Sequence, residues 1–318
     1  MLLVRRLVEG ALACALVFWA SLAVAQQTTP TSSDPASRSA SAHFRRLAPG
    51  IETTIPVDRH ESETFAQHDI VEILSGIPNL NWEPHSLGAS RTLKAMATQA
   101  MFHKDVWCLE FTFKPMRMIW VDVPQAGGRA ERKLIYYLVF HVKNPGQHLH
   151  PVAQPDGTYK IETVDKLEQP IRFMPLFSLE SPEKKKAYLD RLIPAAIPEI
   201  QRREDPNRTL LNTVEISKNP IPVSTDAEDK SVWGVATWED IDPTLDFFSV
   251  VVEGLTNAQK WMDPPGVFHA GDAPGTGRRF ASKMLILNFW RPGDEFLQDE
   301  RTIYFGAPGK IDYRWIYR

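Results

Sequence analysis

The stretch KLIYYLVFHVKN spans Lys133–Asn144. Leu134, Tyr136, Leu138, Phe140 and Val142 alternate along it, so an extended chain places all five on one face. That period of two predicts a strand with this face in the core. Asn144-Pro145-Gly146 ends it. Upstream, VWCLEFTF (106–113) follows the same rule: Trp107, Leu109, Phe111 and Phe113 share one face, while Glu110, Thr112 and Lys114 share the other. Pro115 interrupts, MRMIWVDV continues extended to Pro124, and the polar QAGGRAERK segment makes a Gly-Gly turn into the quoted strand.

Working outward, IRFMPLFSL, VWGVATW, LDFFSVVVEGL, KMLILNFW, RTIYFG and KIDYRWIY read as further strands. In the last, Ile311, Tyr313, Trp315 and Tyr317 face one way, and Asp312, Arg314 and Arg318 the other. Three segments read as helical. Glu63 to Leu74 has Ser62 as a cap and Gly76 and Pro78 as stops; Arg91 to Phe102 is a second short candidate. SPEKKKAYLDRLIPAAIPEIQRRED follows as two pieces, with Ser181 capping the first and Pro194 and Pro198 preventing one continuous helix. The expected fold class is mainly β, an antiparallel β-sandwich of immunoglobulin-like type. YLVFHVKNPG (137–146) resembles VVVEGLTNA (250–258), which suggests two sandwich units, 51–205 and 206–318. A single larger sandwich is the other arrangement considered.

The N-terminus has its own grammar. Arg5-Arg6 precede an uncharged run from Ala11 to Ala25 that ends in Ala23-Val24-Ala25. This is the order of a secretory signal peptide (1–25), with the mature chain starting at Gln26; an uncleaved anchor is the alternative. The Ala11-Leu12-Ala13-Cys14 segment departs from a lipoprotein box, which wants Leu where Ala11 stands. Residues 26–50 are rich in Ser, Thr, Pro and Ala and read as a disordered tether. No later stretch is long and apolar enough to span a bilayer. Removing the signal takes Lys+Arg from 36 to 34 and Asp+Glu from 39 to 38, so the formal charge moves from −3 to −4. No basic field is present for nucleic acid. Cys14 leaves with the signal, and Cys108 then has no intrachain disulfide partner.

CLEFTFKPMRMIWVDVP, continued by KLIYYLVFHVKNPG, resembles a group of secreted proteins of planctomycete-type bacteria. The resemblance covers Trp107 to Gly146. It implies a bacterial envelope protein and brings no reaction and no catalytic residue with it.

The chemistry-bearing motifs are few. HVKNPGQHLHP (141–151) holds His141, His148 and His150. His148 and His150 lie two apart, so an extended backbone aims both the same way, within reach of one zinc or copper ion. His141 is a conceivable third ligand. Against a metal, Gly146 and Pro151 place the pair in a turn-rich surface connection, and the nearest carboxylate in sequence is Asp156. The histidines are therefore expected to be structural or solvent-exposed. Cys108 reads as a buried thiol rather than a nucleophile. GDAPGTGRR (271–279) lacks the Lys-Ser/Thr of a phosphate-binding loop and the context of a dinucleotide site. Asp226, Glu228 and Asp229, with Glu239, Asp240 and Asp242, gather carboxylates near turns without the spacing of a calcium loop. Trp107 and Trp315 read as core; Trp82, Trp238 and Trp261 are the candidates for a sugar-stacking platform. The reading is an exported, non-catalytic envelope or periplasmic protein that binds an envelope protein or polysaccharide, with no cofactor. A metal-assisted hydrolase using the histidines and a carbohydrate-binding module are the alternatives.

Overall fold

The computed structural model describes residues 50–68, 100–165, 169–262, 276–277, 279–291, 302–307, 309 and 311–318. All of them belong to one compact unit, Phe44–Arg318. The signal segment, nearly all of the tether, Trp82 and most of GDAPGTGRR lie outside the described residues.

The chain is mainly β with antiparallel sheets. The first sheet is built on β7 (Ala130–Lys143), the strand quoted above. β12 (Val232–Trp238) pairs along one edge of it, from Trp238↔Tyr136 to Val232↔Val142. The other edge is shared. β6 (Arg117–Pro124) pairs with its first half and β5 (Glu110–Phe113) with its last residues. Pro115 sits at the changeover, where one extended run becomes two successive neighbours of a long partner. β1 (Thr53–Ile55) adds to β5. Gly234 stands opposite Phe140 on β7, and a Cβ there would fall 2.6 Å from the Phe140 ring.

In the second sheet, β13 (Phe247–Glu253) lies between β10 (Leu176–Ser181) and β15 (Arg279–Trp290). β11 (Lys186–Leu189) pairs β10; β14 (Gln259–Met262), β16 (Tyr304–Phe305) and β17 (Tyr313–Tyr317) pair β15. Two small sheets are also present among the described residues: β2 (Phe65–His68) with β3 (Ala100–His103), and β4 (Val106–Trp107) with β8 (His148–Ala153) and β9 (Tyr159–Val164).

The main core takes side chains from both large sheets. Phe111, Phe113 and Phe140 come from the first, and Phe177, Val250 and Leu287 from the second. Phe140 and Phe177 meet at a ring-centroid distance of 4.8 Å. Burying one such side chain stabilises by about 1.5–3 kcal/mol. The opposite face of β7 is buried as well. Ile135, Tyr137 and Val139 pack with Ile193 and Ile200 beneath α1 (Ala196–Glu204). Tyr137 donates to Glu204 Oε1 at 2.7 Å, and Arg117 pairs with the same carboxylate at 3.1 Å. Pro198 is tolerated in α1 because it occupies the first turn, where its missing N–H has no intrahelical partner.

Several elements differ from the sequence reading. The segment expected to be a helix from Glu63 begins as one 3-10 turn, Glu61–Glu63, followed by β2. Residues 100–102, the end of the second expected helix, belong to β3. The reason is mutual: β2 and β3 satisfy each other's backbone groups, and a pairing partner overrides weak helical periodicity. The first piece of the 181–205 helix is a hairpin between β10 and β11, closed through Lys185 at φ +52°. Ser181 still caps, but its Oγ accepts from Lys184 N in the turn at 3.3 Å. α2 (Thr213–Lys218), with its Asn212/Glu215 capping box, was not anticipated. Strand pairing also crosses the division expected at 205/206 in both large sheets: β12 joins β7, and β10 joins β13. No helix among the described residues is long and apolar enough to cross a membrane.

Candidate functional site

The site starts from the two-residue strand β4. Its backbone is held by the loop after β13. Asn257 Oδ1 accepts from Trp107 N at 3.0 Å, and Asn257 Nδ2 donates to the Asp105 carbonyl at 2.8 Å. Thr256 Oγ1 donates to the Trp107 carbonyl at 2.6 Å, and Lys104 Nζ to the Asn257 carbonyl at 2.9 Å. β8 then pairs with β4, placing Leu149 opposite Val106 and His148 opposite Trp107. Leu149 and Val106 bury themselves against Ala258 in a small core. By strand alternation His148 and His150 point to the other side.

There they meet Asp105, the residue just before β4. His150 Nδ1 lies 2.6 Å from Asp105 Oδ1, and His148 Nε2 lies 4.0 Å from Asp105 Oδ2. The donor atoms of all three residues fall within 4.8 Å of one another. His148 is 7% exposed and its Nδ1 has no hydrogen-bond partner; His150 and Asp105 are half exposed. Asp105 and His148 form part of the wall of an open cleft of about 380 Å³, with Trp107, Ile171, Arg172 and Asn257 among its other lining residues. Arg172 is braced by donating to the Ser217 and Lys218 carbonyls at 3.2 and 3.0 Å.

The expectation for the histidines is thus corrected in three respects. His148 and His150 lie on a strand rather than in a surface loop, and His148 is buried. A carboxylate does stand beside them, supplied by Asp105 from across the β4–β8 pairing rather than by Asp156. His141 takes no part in the cluster. It sits on β7, with its ring 4.5 Å from that of Trp233 and its Nε2 3.4 Å from Glu52. Burial pushes its pKa down, against the opposing pull of the Glu52 carboxylate. No signal in the sequence links Asp105 to the pair, because the link is a register between strands.

The other candidates resolve simply. Cys108 is buried, and that burial pushes its thiol up to about 11, so it holds its proton at neutral pH. Lys133 bridges Glu239 and Asp240, Asp242 caps Thr244 and meets Lys186, and Asp229 accepts from Ser231. Trp238 is fully buried in the main core, whereas Trp107, expected there, packs against that core and lines the cleft. Trp261 leans on Phe280 with the rings inclined at 50°, not coplanar. No protein family, curated protein or solved structure was found to match the chain.

Proposed function

We propose that this chain is an exported cell-envelope protein, built as an antiparallel β-sandwich, that acts by binding a protein or polymer partner in the cleft beside His148. The sandwich reading rests on one core fed by both large sheets. Export rests on the Arg5-Arg6, apolar and Ala-Val-Ala order of the first 25 residues. The observation that carries the binding reading is the cleft itself. An indole wall (Trp107), a braced guanidinium (Arg172) and a half-exposed carboxylate (Asp105) converge on one open space. Aromatic faces with a few placed polar groups suit a polar polymer such as a polysaccharide.

Two measurements test this. The protein in envelope fractions should begin at Gln26; a Met1 start in the cytoplasm contradicts export. Co-sedimentation with purified cell-wall polymer should weaken about tenfold in Trp107→Ala and in Arg172→Ala, as expected for hot-spot side chains. Equal sedimentation of wild type and both variants contradicts the cleft as the contact.

A metal-assisted hydrolase is the second reading, favoured by Asp105 joining His148 and His150. Turnover of an activated ester by zinc-loaded protein, lost in Asp105→Asn, would establish it. Polymer binding without turnover leaves the first reading in place.

A further inference from the structure

We propose that Asp105, His148 and His150 form a site for one divalent transition-metal ion of the zinc class. The proposal goes beyond the binding reading, since it holds whatever the cleft receives. Two imidazoles and a carboxylate suit zinc and its first-row neighbours better than calcium or magnesium, which take all-oxygen shells.

The spacing fits with small side-chain motions. An ion about 2.0–2.2 Å from each donor in tetrahedral geometry sets donors about 3.3 Å apart. One Asp105 oxygen lies 2.6 Å from His150 Nδ1 and the other 4.0 Å from His148 Nε2, and the donor atoms of all three residues lie within 4.8 Å of one another, so shifts of about an ångström reach that spacing. His150 and Asp105 are half exposed, with room to adjust on the solvent side, whereas His148 is buried. The carboxylate already splits its two oxygens between the two rings.

A second, independent observation comes from His148 itself. Its ring is more than nine-tenths buried, its Nδ1 has no hydrogen-bond partner, and its Nε2 is beyond hydrogen-bond length from Asp105. The ring therefore makes no hydrogen bond of ordinary length through Nδ1 or to Asp105, which leaves Nε2 open to a ligand on the Asp105 side. An ion at Nε2 would give this buried ring a strong interaction on the edge that faces Asp105.

The scaffold is also stiff. Asn257 clamps the backbone on both sides of Val106, and Val106, Leu149 and Ala258 pack beneath the strand pair. Three protein donors leave at least one coordination position, and both Asp105 and His148 line the cleft. A water or a ligand group from the cleft would complete the shell.

The competing account is a plain Asp105–His150 ion pair with His148 as a bystander. The test uses tag-free protein stripped with a chelator, then titrated with zinc chloride and assayed for bound metal after dialysis. The expected result is about one zinc per chain, with a raised thermal midpoint. His150→Ala and Asp105→Asn change half-exposed residues and should keep the fold by circular dichroism. Each should bind zinc at least about tenfold more weakly. His141→Ala should bind as the wild type does. His148→Ala should behave like the other two ligand variants, which decide the question if it does not fold. Retention of less than about 0.1 zinc per chain by the wild type overturns the proposal. So does unchanged zinc binding in both His150→Ala and Asp105→Asn, or a preference for calcium over zinc. Loss of the metal result leaves the polymer co-sedimentation untouched, so the two proposals fail separately.

Discussion

Lys283 carries a charge into the interior beside the N-terminal segment. Its Nζ lies 2.6 Å from Glu63 Oε1, 3.0 Å from Asp58 Oδ2 and 2.8 Å from the Asp58 carbonyl. The Tyr317 hydroxyl donates to the same Glu63 carboxylate. Burial, reinforced by that carboxylate, raises the tyrosine pKa above its ordinary range. The Lys283 and Glu63 side chains are 1% and 0% exposed, so losing Glu63 leaves the buried Lys283 ammonium with Asp58 as its remaining carboxylate partner. Glu63→Ala should therefore lower unfolding stability by about 1.5–3 kcal/mol in urea denaturation. A loss below about 1 kcal/mol would mean that Asp58 or water replaces the Glu63 carboxylate at Lys283. At this scale the sequence was partly legible. The HxH spacing of His148 and His150 correctly aimed two rings to one side. Asp105, 45 residues before His150, was out of reach, because only the β4–β8 register brings it there. Trp107 and Trp238 exchanged roles for a related reason: alternation shows which residues share a face, but not what covers that face.

Elements were legible where alternation was long. Leu134 to Val142 reached the core as read, and the apolar Ile135, Tyr137 and Val139 between them found a second core under α1. SPEKKKAYLD was misread because its charge run and capping serine suit a tight hairpin as well as a helix. Tyr188 packing against the main core decides for the strand. Glycine marks the strand ends that need left-handed backbone. Gly254 closes β13 at φ +88°, and a Cβ there would lie 2.3 Å from the Met174 carbonyl oxygen. Gly128, in the β6–β7 turn at φ +79°, faces open space. Gly128→Ala should cost about 1 kcal/mol from backbone strain alone, and Gly254→Ala clearly more, because backbone must also move. Equal losses in thermal or urea unfolding would show that the approach to Met174 relaxes freely.

At the scale of the whole molecule, each large sheet takes strands from before and after position 205. β7 needs β12 along one edge, and β13 needs β10. Cutting the chain there leaves two long strands with unpaired edges and splits the core residues of one cluster between fragments. Segments 51–205 and 206–318, produced separately, should be unfolded by circular dichroism. The intact chain should unfold in one urea transition by both circular dichroism and tryptophan fluorescence. A folded fragment, or two separate transitions, would support the two-unit organisation suggested by the resemblance between 137–146 and 250–258. The same interdependence positions the candidate site, since Asp105 is held by Asn257 from the far half of the chain. The most direct measurement is anomalous diffraction at the zinc edge from crystals grown with zinc and without an affinity tag. The predicted result is one strong peak about 2.0–2.2 Å from donor atoms of Asp105, His148 and His150. A structure that keeps the direct Asp105–His150 contact, with no peak between these three side chains, would contradict the account.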